Sequence, residues 1–198
     1  MASAHLRIWC LLLCALAAIG AALSGAALKF HGLAVGAYPP GSRVVITTAE
    51  FNRYLDAEIP NLIGPGIRNA RVETSEGGVV RGTADIDFLK VRQATGGEKP
   101  SWLLQTLLSG ERPVEITVRV TSGHGMARVD VVRVVVSGVA AEGRTLELLI
   151  SNVLLPTFPD AKVGKEFAMD YGIDHLEVAP GSVTVVRNHQ PFRAAQAR

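Results

Sequence analysis

The spacing of apolar side chains changes several times along this chain, and each change predicts a new element. Phe51, Tyr54, Leu55, Ile59 and Leu62 recur at helical spacing. Ahead of them, Thr47-Thr48-Ala49-Glu50 offers a threonine to cap the helix start and a glutamate to return a bond to the cap residue's backbone. Pro60 and Gly64-Pro65-Gly66 stop the pattern, so a helix is expected over about residues 48 to 59.

From there the period falls to two. Ala70 to Thr74 and Val79 to Val91 flank the turn Ser75-Glu76-Gly77-Gly78, a hairpin in which Val80, Ala84, Ile86 and Phe88 share one face. In a second hairpin Val114, Ile116, Val118 and Val120 alternate with Glu115, Thr117, Arg119 and Thr121. The chain turns at Gly123-His124-Gly125, and Ala127, Val129 and Val131 continue the apolar face. The alternation slips at Val131-Val132-Arg133, which predicts a bulge. A third pair, about Phe167 to Val178 and Ser182 to Val186, joins across Ala179-Pro180-Gly181. One-faced strands of this kind are antiparallel, with one wet side and one apolar side.

Two further segments are richer in apolar residues than a single stripe requires. Leu146, Leu149, Ile150, Val153 and Leu154 follow helical spacing up to Pro156, and Leu148, Leu155 and Phe158 widen that face. Between the first two hairpins, Trp102, Leu103, Leu104, Leu107 and Leu108 cover both sides of a short, almost uncharged segment. A helix apolar all round is buried, touches a membrane or lines a greasy pocket. The economical arrangement is α+β: a curved antiparallel sheet of about six strands wrapped on its apolar side around the two longer helices.

Composition sharpens the picture at the N-terminus. Of the 198 residues 48% are hydrophobic, and the excess is concentrated at the start, where Arg7 is followed by an uncharged run from Ile8 to Leu28. A basic start, a Leu/Ala core and small residues at Ser24 to Ala27 form the layout of an export signal, with cleavage expected after Ala26 or Ala27. The run is also long enough to span a bilayer as an uncleaved anchor. Either way the body is placed outside the cytoplasm, in the periplasm or on the outer face of the cytoplasmic membrane. The expected organisation is a signal peptide or anchor over residues 1–28, a flexible spacer over 29–46, one α+β domain over 47–187 and a disordered tail over 188–198. Both cysteines, Cys10 and Cys14, fall in the leader, so the body carries no disulfide. Trp9 and Leu13 precede them where lipidation wants a small residue.

Charge and motifs narrow the chemistry. Twenty basic against 18 acidic residues, net +2, give no basic stripe for nucleic acid. Gly64-Pro65-Gly66 has a proline where phosphate-binding amides are wanted and lacks the following Lys-Ser/Thr pair. Asp85-x-Asp87 puts two carboxylates on one strand face, and Asp170, Asp174 and His175 form a small acidic and imidazole group. Both read as solvated strand faces, because no further His or Cys supplies metal ligands. Ser122 and His124 flank a turn without an orienting partner for a nucleophile. No enzyme, metal or cofactor is expected.

Segments Gly125-Met126-Ala127-Arg128-Val129-Asp130-Val131 and Val134-Val135-Val136-Ser137-Gly138-Val139, with Leu154-Leu155-Pro156, resemble the small bacterial periplasmic lipid-binding family related to tubular lipid-binding proteins. The resemblance implies acyl chains held between a curved sheet and its helices. The expected function is therefore non-enzymatic binding of a lipid or other apolar ligand, with membrane contact through the N-terminal segment. The residues expected to line the site are Phe51, Tyr54, Leu55, Trp102, Leu103, Leu104, Leu107, Leu146, Leu149, Ile150 and Val153. The alternative is a structural or protein-interaction module of the cell envelope, anchored by its N-terminus.

Overall fold

The structure is a computed structural model and describes residues 25–62, 66–94, 109–151 and 162–189. It is a mixed α+β fold with two antiparallel sheets. Helix α1 (Gly25–Ala34) leads into strand β1 (Arg43–Thr47) and helix α2 (Thr48–Leu62). Strands β2 (Ile67–Thr74) and β3 (Val79–Asp87) follow, then helix α3 (Phe88–Ala94). A long hairpin, β4 (Glu111–Gly123) and β5 (Met126–Val136), runs on through β6 (Val139–Ala141) into helix α4 (Gly143–Leu149). The chain ends with β7 (Glu166–Ala168), β8 (Ile173–Ala179) and β9 (Ser182–Arg187). The larger sheet has six strands in the order β2-β3-β4-β5-β6, with β7 also on β5; the smaller has the order β1-β9-β8.

Local chemistry accounts for most of these boundaries. Thr47 caps α2 as its sequence predicts: the Glu50 amide donates to Thr47 Oγ1 at 3.2 Å, and the Thr47 amide donates to Glu50 Oε2 at 2.9 Å. His124 and Gly125 both take positive φ (53° and 76°), the primed turn that matches strand twist in a two-residue hairpin. The predicted bulge is present. Thr117 pairs with Arg133 and Val118 with Val131, so Val132 is the extra residue and turns outward. Without it Val134 and Val136 would face the wrong side of the sheet.

Three expectations are corrected. The third hairpin does not join the six-stranded sheet. Tyr171 and Gly172, both at positive φ, break the expected Phe167–Val178 strand in two. β7 stays on β5 while β8 leaves to pair with β9 in the second sheet. Nor are residues 29–46 a spacer: α1 and β1 occupy most of them, and Ala26, Phe30, Leu33, Val44 and Ile46 are core residues. Greasy residues that resemble the tail of the leader are thus used for packing. Val79 to Val91, finally, is strand only to Asp87, which caps α3 by accepting the Lys90 amide at 3.1 Å. Residues 1–24, with most of the apolar run, lie outside the described residues. Among the described residues no helix is long and apolar enough to cross a membrane.

The dense core sits under the small sheet. Phe30 meets Tyr54 edge-on at 5.1 Å and Phe51 at 6.1 Å, and these rings pack with Ile173 and Val185. Lys29 closes the same layer, reaching both carboxylate oxygens of Glu50 at 2.7 and 2.8 Å and the carbonyl of Val45 at 2.7 Å.

Candidate apolar groove

The two sheets meet at few points. Ser122 at the end of β4 bonds the backbone of Leu176 on β8, the Gly125 amide donates to the Asp174 carbonyl at 2.8 Å, and Thr74 Oγ1 donates to the Ala179 carbonyl at 2.7 Å. These polar pins hold the small sheet over one end of the large one and leave space beneath.

That space is apolar. A cavity of about 150 Å³ lies between the sheets, bounded by Phe30, Ile46 and Phe51 on one side and Val118, Val120 and Val129 on the other. A second cavity, of about 360 Å³, continues along the large sheet over Gly82, Ala84, Val114, Ile116 and Val134, under Leu55, Ile59 and Ile150. Val72 borders both. Along β4 the lining residues are alternate positions of one strand, Val114 to Val120, a path of about 20 Å. These valines and Ile116 are only half-buried, whereas the facing residues of the small-sheet core, such as Val185, are fully buried.

Small side chains hollow the second cavity. Gly82 stands mid-strand, paired with both Val72 and Ile116. A Cβ built on it would come 3.3 Å from Ile116 Cγ2. Its backbone is ordinary extended strand, so no turn requires the glycine there. What the absent side chain supplies is room. Ala70 and Ala84, where strands favour branched residues, widen the same hollow.

The opposite face of the large sheet is charged. Arg81 reaches Glu115 at 2.6 Å and Glu73 at 3.6 Å, and the Arg128 Nε contacts Asp130 at 2.9 Å. Charged pairs thus occupy one face of the sheet, and the other carries the apolar row.

Of the expected lining residues, Phe51 borders the first cavity, and Leu55 and Ile150 border the second. Tyr54 belongs to the closed core and Leu146 is buried, and neither borders either of these two cavities. Leu149 ends α4. Trp102, Leu103, Leu104, Leu107 and Val153 lie outside the described residues, as does the side chain of Leu149. Sequence reasoning looked for the lining on helices and missed Val72, Gly82, Ile116, Val118, Val129 and Val134. Most of these were legible as the apolar face of the alternation, but alternation alone does not say whether that face is packed or hollow.

The polar clusters have structural uses. Asp85 accepts from Asn69 Nδ2 at 2.8 Å, while Asp87 is occupied in the α3 cap. Burial raises the Asp87 carboxyl's pKa, but the Lys90 amide and ammonium outweigh it and the group sits below its ordinary range. His175 lies between Asp174 (2.7 Å from Nδ1) and Glu177 (3.3 Å from Nε2), and Glu177 is paired with Arg43. The Asp174 hydrogen bond, with Glu177 adding to it, raises the imidazole's pKa against a smaller effect of burial. Ser122 is engaged by the Leu176 backbone, and His124 occupies a hairpin turn. Among the described residues no three His, Cys, Asp or Glu side chains gather as metal ligands. Neither protein-family models, curated proteins nor solved structures give a match to this chain.

Proposed function

We propose that this protein is a non-enzymatic binder of a lipid or similar long apolar chain, working outside the cytoplasm, and that the chain lies along the apolar face of the six-stranded sheet. The observation that carries the reading is the half-buried row from Val114 to Val120, hollowed beside it by Gly82, Ala84 and Ala70. A fold that needed only a core would fill this row with larger side chains, since interiors pack to crystal-like density. Burying methylenes there is worth about 0.8 kcal/mol each, so affinity would come from chain length rather than from headgroup contacts. The lining is almost wholly aliphatic and aromatic, as ligand cavities for apolar molecules are. The resemblance of the Gly125–Val131 and Val134–Val139 segments to periplasmic lipid-binding proteins points the same way, as does the export-like N-terminal run.

A photoactivatable fatty acid added to the full chain tests the site. Cross-links on the cavity-facing residues of β3, β4 and β5, competed by unlabelled fatty acid, are the expected outcome. Cross-links confined to other surfaces would remove the groove from consideration and favour the envelope interaction module.

A further inference from the structure

We propose that the groove takes an anionic amphiphile in one orientation, its carboxylate held by Arg112 and its chain running from there toward the small sheet. This rests on the chain-binding reading of the groove and adds a charge and a direction to it. The first observation is where the apolar row of β4 ends. Val120, Val118, Ile116 and Val114 take alternate positions on one face, and the next position on that face is Arg112. Across the ladder Arg112 pairs with Ile86, which borders the second cavity as Val114 does. Its neighbours Glu111 and Pro113 are exposed on the other face, whereas Arg112 is half-buried.

The second observation is that this guanidinium has nothing to hold. Its Nε is buried without a hydrogen-bond partner, and among the described residues no carboxylate pairs with it. The cations around the same end are all engaged: Arg68 with Glu111, Arg71 with Asp56 at 2.5 Å and Lys90 with Asp87 at 3.2 Å. Glu111, next to Arg112 in sequence, is therefore already taken. A buried donor left unmet costs free energy that an acceptor on a ligand recovers, and the planar fork of arginine fits a carboxylate with two parallel bonds. The opposite end of the groove has no such group. Thr47, Thr48 and Thr74 border the first cavity, but their hydroxyls are bonded to Glu50 at 3.0 Å, the Gly181 carbonyl at 3.2 Å and the Ala179 carbonyl. A carboxylate driven to that end would be buried without a partner, whereas an aliphatic tail would not. Buried methylenes still supply most of the affinity. Arg112 sets the orientation and selects for negative charge.

Equilibrium binding of radiolabelled tetradecanoic acid and tetradecanol to the full chain, at mildly alkaline pH where the acid is ionised, provides the test. The two probes share a chain and differ in the charge of the head. The parent should bind the acid about ten- to a hundredfold more tightly than the alcohol. Arg112→Met and Arg112→Gln, one apolar and one polar but both uncharged, should each abolish that preference. Equal affinity for the two probes in the parent, or a parent-like preference in either variant, overturns the proposal and leaves the groove standing. Loss of both probes in both variants also overturns it, because a headgroup contact does not account for the alcohol. Millimolar acetate that displaces the labelled acid as well as unlabelled tetradecanoic acid does would reveal a site for free small anions and overturn it too. A parent that binds neither probe sinks the groove reading, and this one with it.

Discussion

Ser122 and Leu176 are bonded to each other in both directions. The Leu176 amide donates to Ser122 Oγ at 2.8 Å, and Oγ donates to the Leu176 carbonyl at 3.2 Å. One hydroxyl thus satisfies both backbone groups of a residue on the small sheet from the end of the large one. Ser122→Ala leaves the pair unmet and is expected to lower unfolding free energy by about 1–3 kcal/mol. Denaturant unfolding reads this directly. An unchanged midpoint would mean that this hydroxyl contributes nothing to holding the two sheets together.

Glu50 joins two tasks in one carboxylate, the α2 cap and the ion pair with Lys29. The Lys29 hydrogen bond and the Thr47 amide bring its pKa to about 2 from an ordinary 4.5. A depressed pKa contributes stability that is present above the ordinary value and lost as pH falls through the window from 4.5 to 2. Glu50→Gln should cost about 1–2 kcal/mol at neutral pH. Its unfolding curve should converge with that of the parent near the acid end of that window. A constant gap at all pH values would contradict the assignment.

His175 shifts in the opposite sense. Its raised pKa gives stability that is complete below 6.5 and lost as pH rises through the folded value. Asp174→Asn should therefore lower the imidazole midpoint seen by proton NMR. The sharpest loss of the parent's relative stability should lie just above pH 6.5. An unmoved midpoint in the variant would show that Glu177 and Arg43 set the environment instead.

The bulge separates two neighbouring valines. Val132 is the extra, outward residue, while Val131 borders the second cavity. Val132→Asp is expected to stay within about 0.5 kcal/mol of the parent, as surface changes do. Val131→Asp should cost several times more, because it places an unpaired carboxylate on the apolar face. Thermal unfolding of the two variants side by side decides it, and similar losses would place the bulge elsewhere.

Much of the fold was readable where short-range chemistry decides it. The Thr47–Glu50 cap, the His124–Gly125 turn and the slip at Val132 each announce themselves within a few residues. What stayed hidden depends on long-range competition. Phe30 and Leu33 fall where the sequence reads as a spacer after the leader, and only their burial in one cluster with Tyr54 reveals them as core. The corner at Tyr171–Gly172 needs a positive φ at a tyrosine, which composition does not advertise. The groove was partly visible: Val114 to Val120 declared an apolar face. Gly82 is the clue that the face is hollow, and a lone glycine in a strand pattern is easily passed over as a weak spot.

That glycine gives the most direct test of the central claim. Gly82→Val suits a strand but brings its Cβ to 3.3 Å from Ile116 Cγ2, closer than ordinary contact, so it fills the hollow only as Ile116 shifts, and a loss of about 1–3 kcal/mol is expected. The measurement is native mass spectrometry of the full chain, parent and variant, purified from membrane-containing cells and then offered a long-chain fatty acid. The account predicts one lipid-sized adduct on the parent and its loss on the folded variant. A parent that shows only its bare mass and gains nothing from added fatty acid would contradict it.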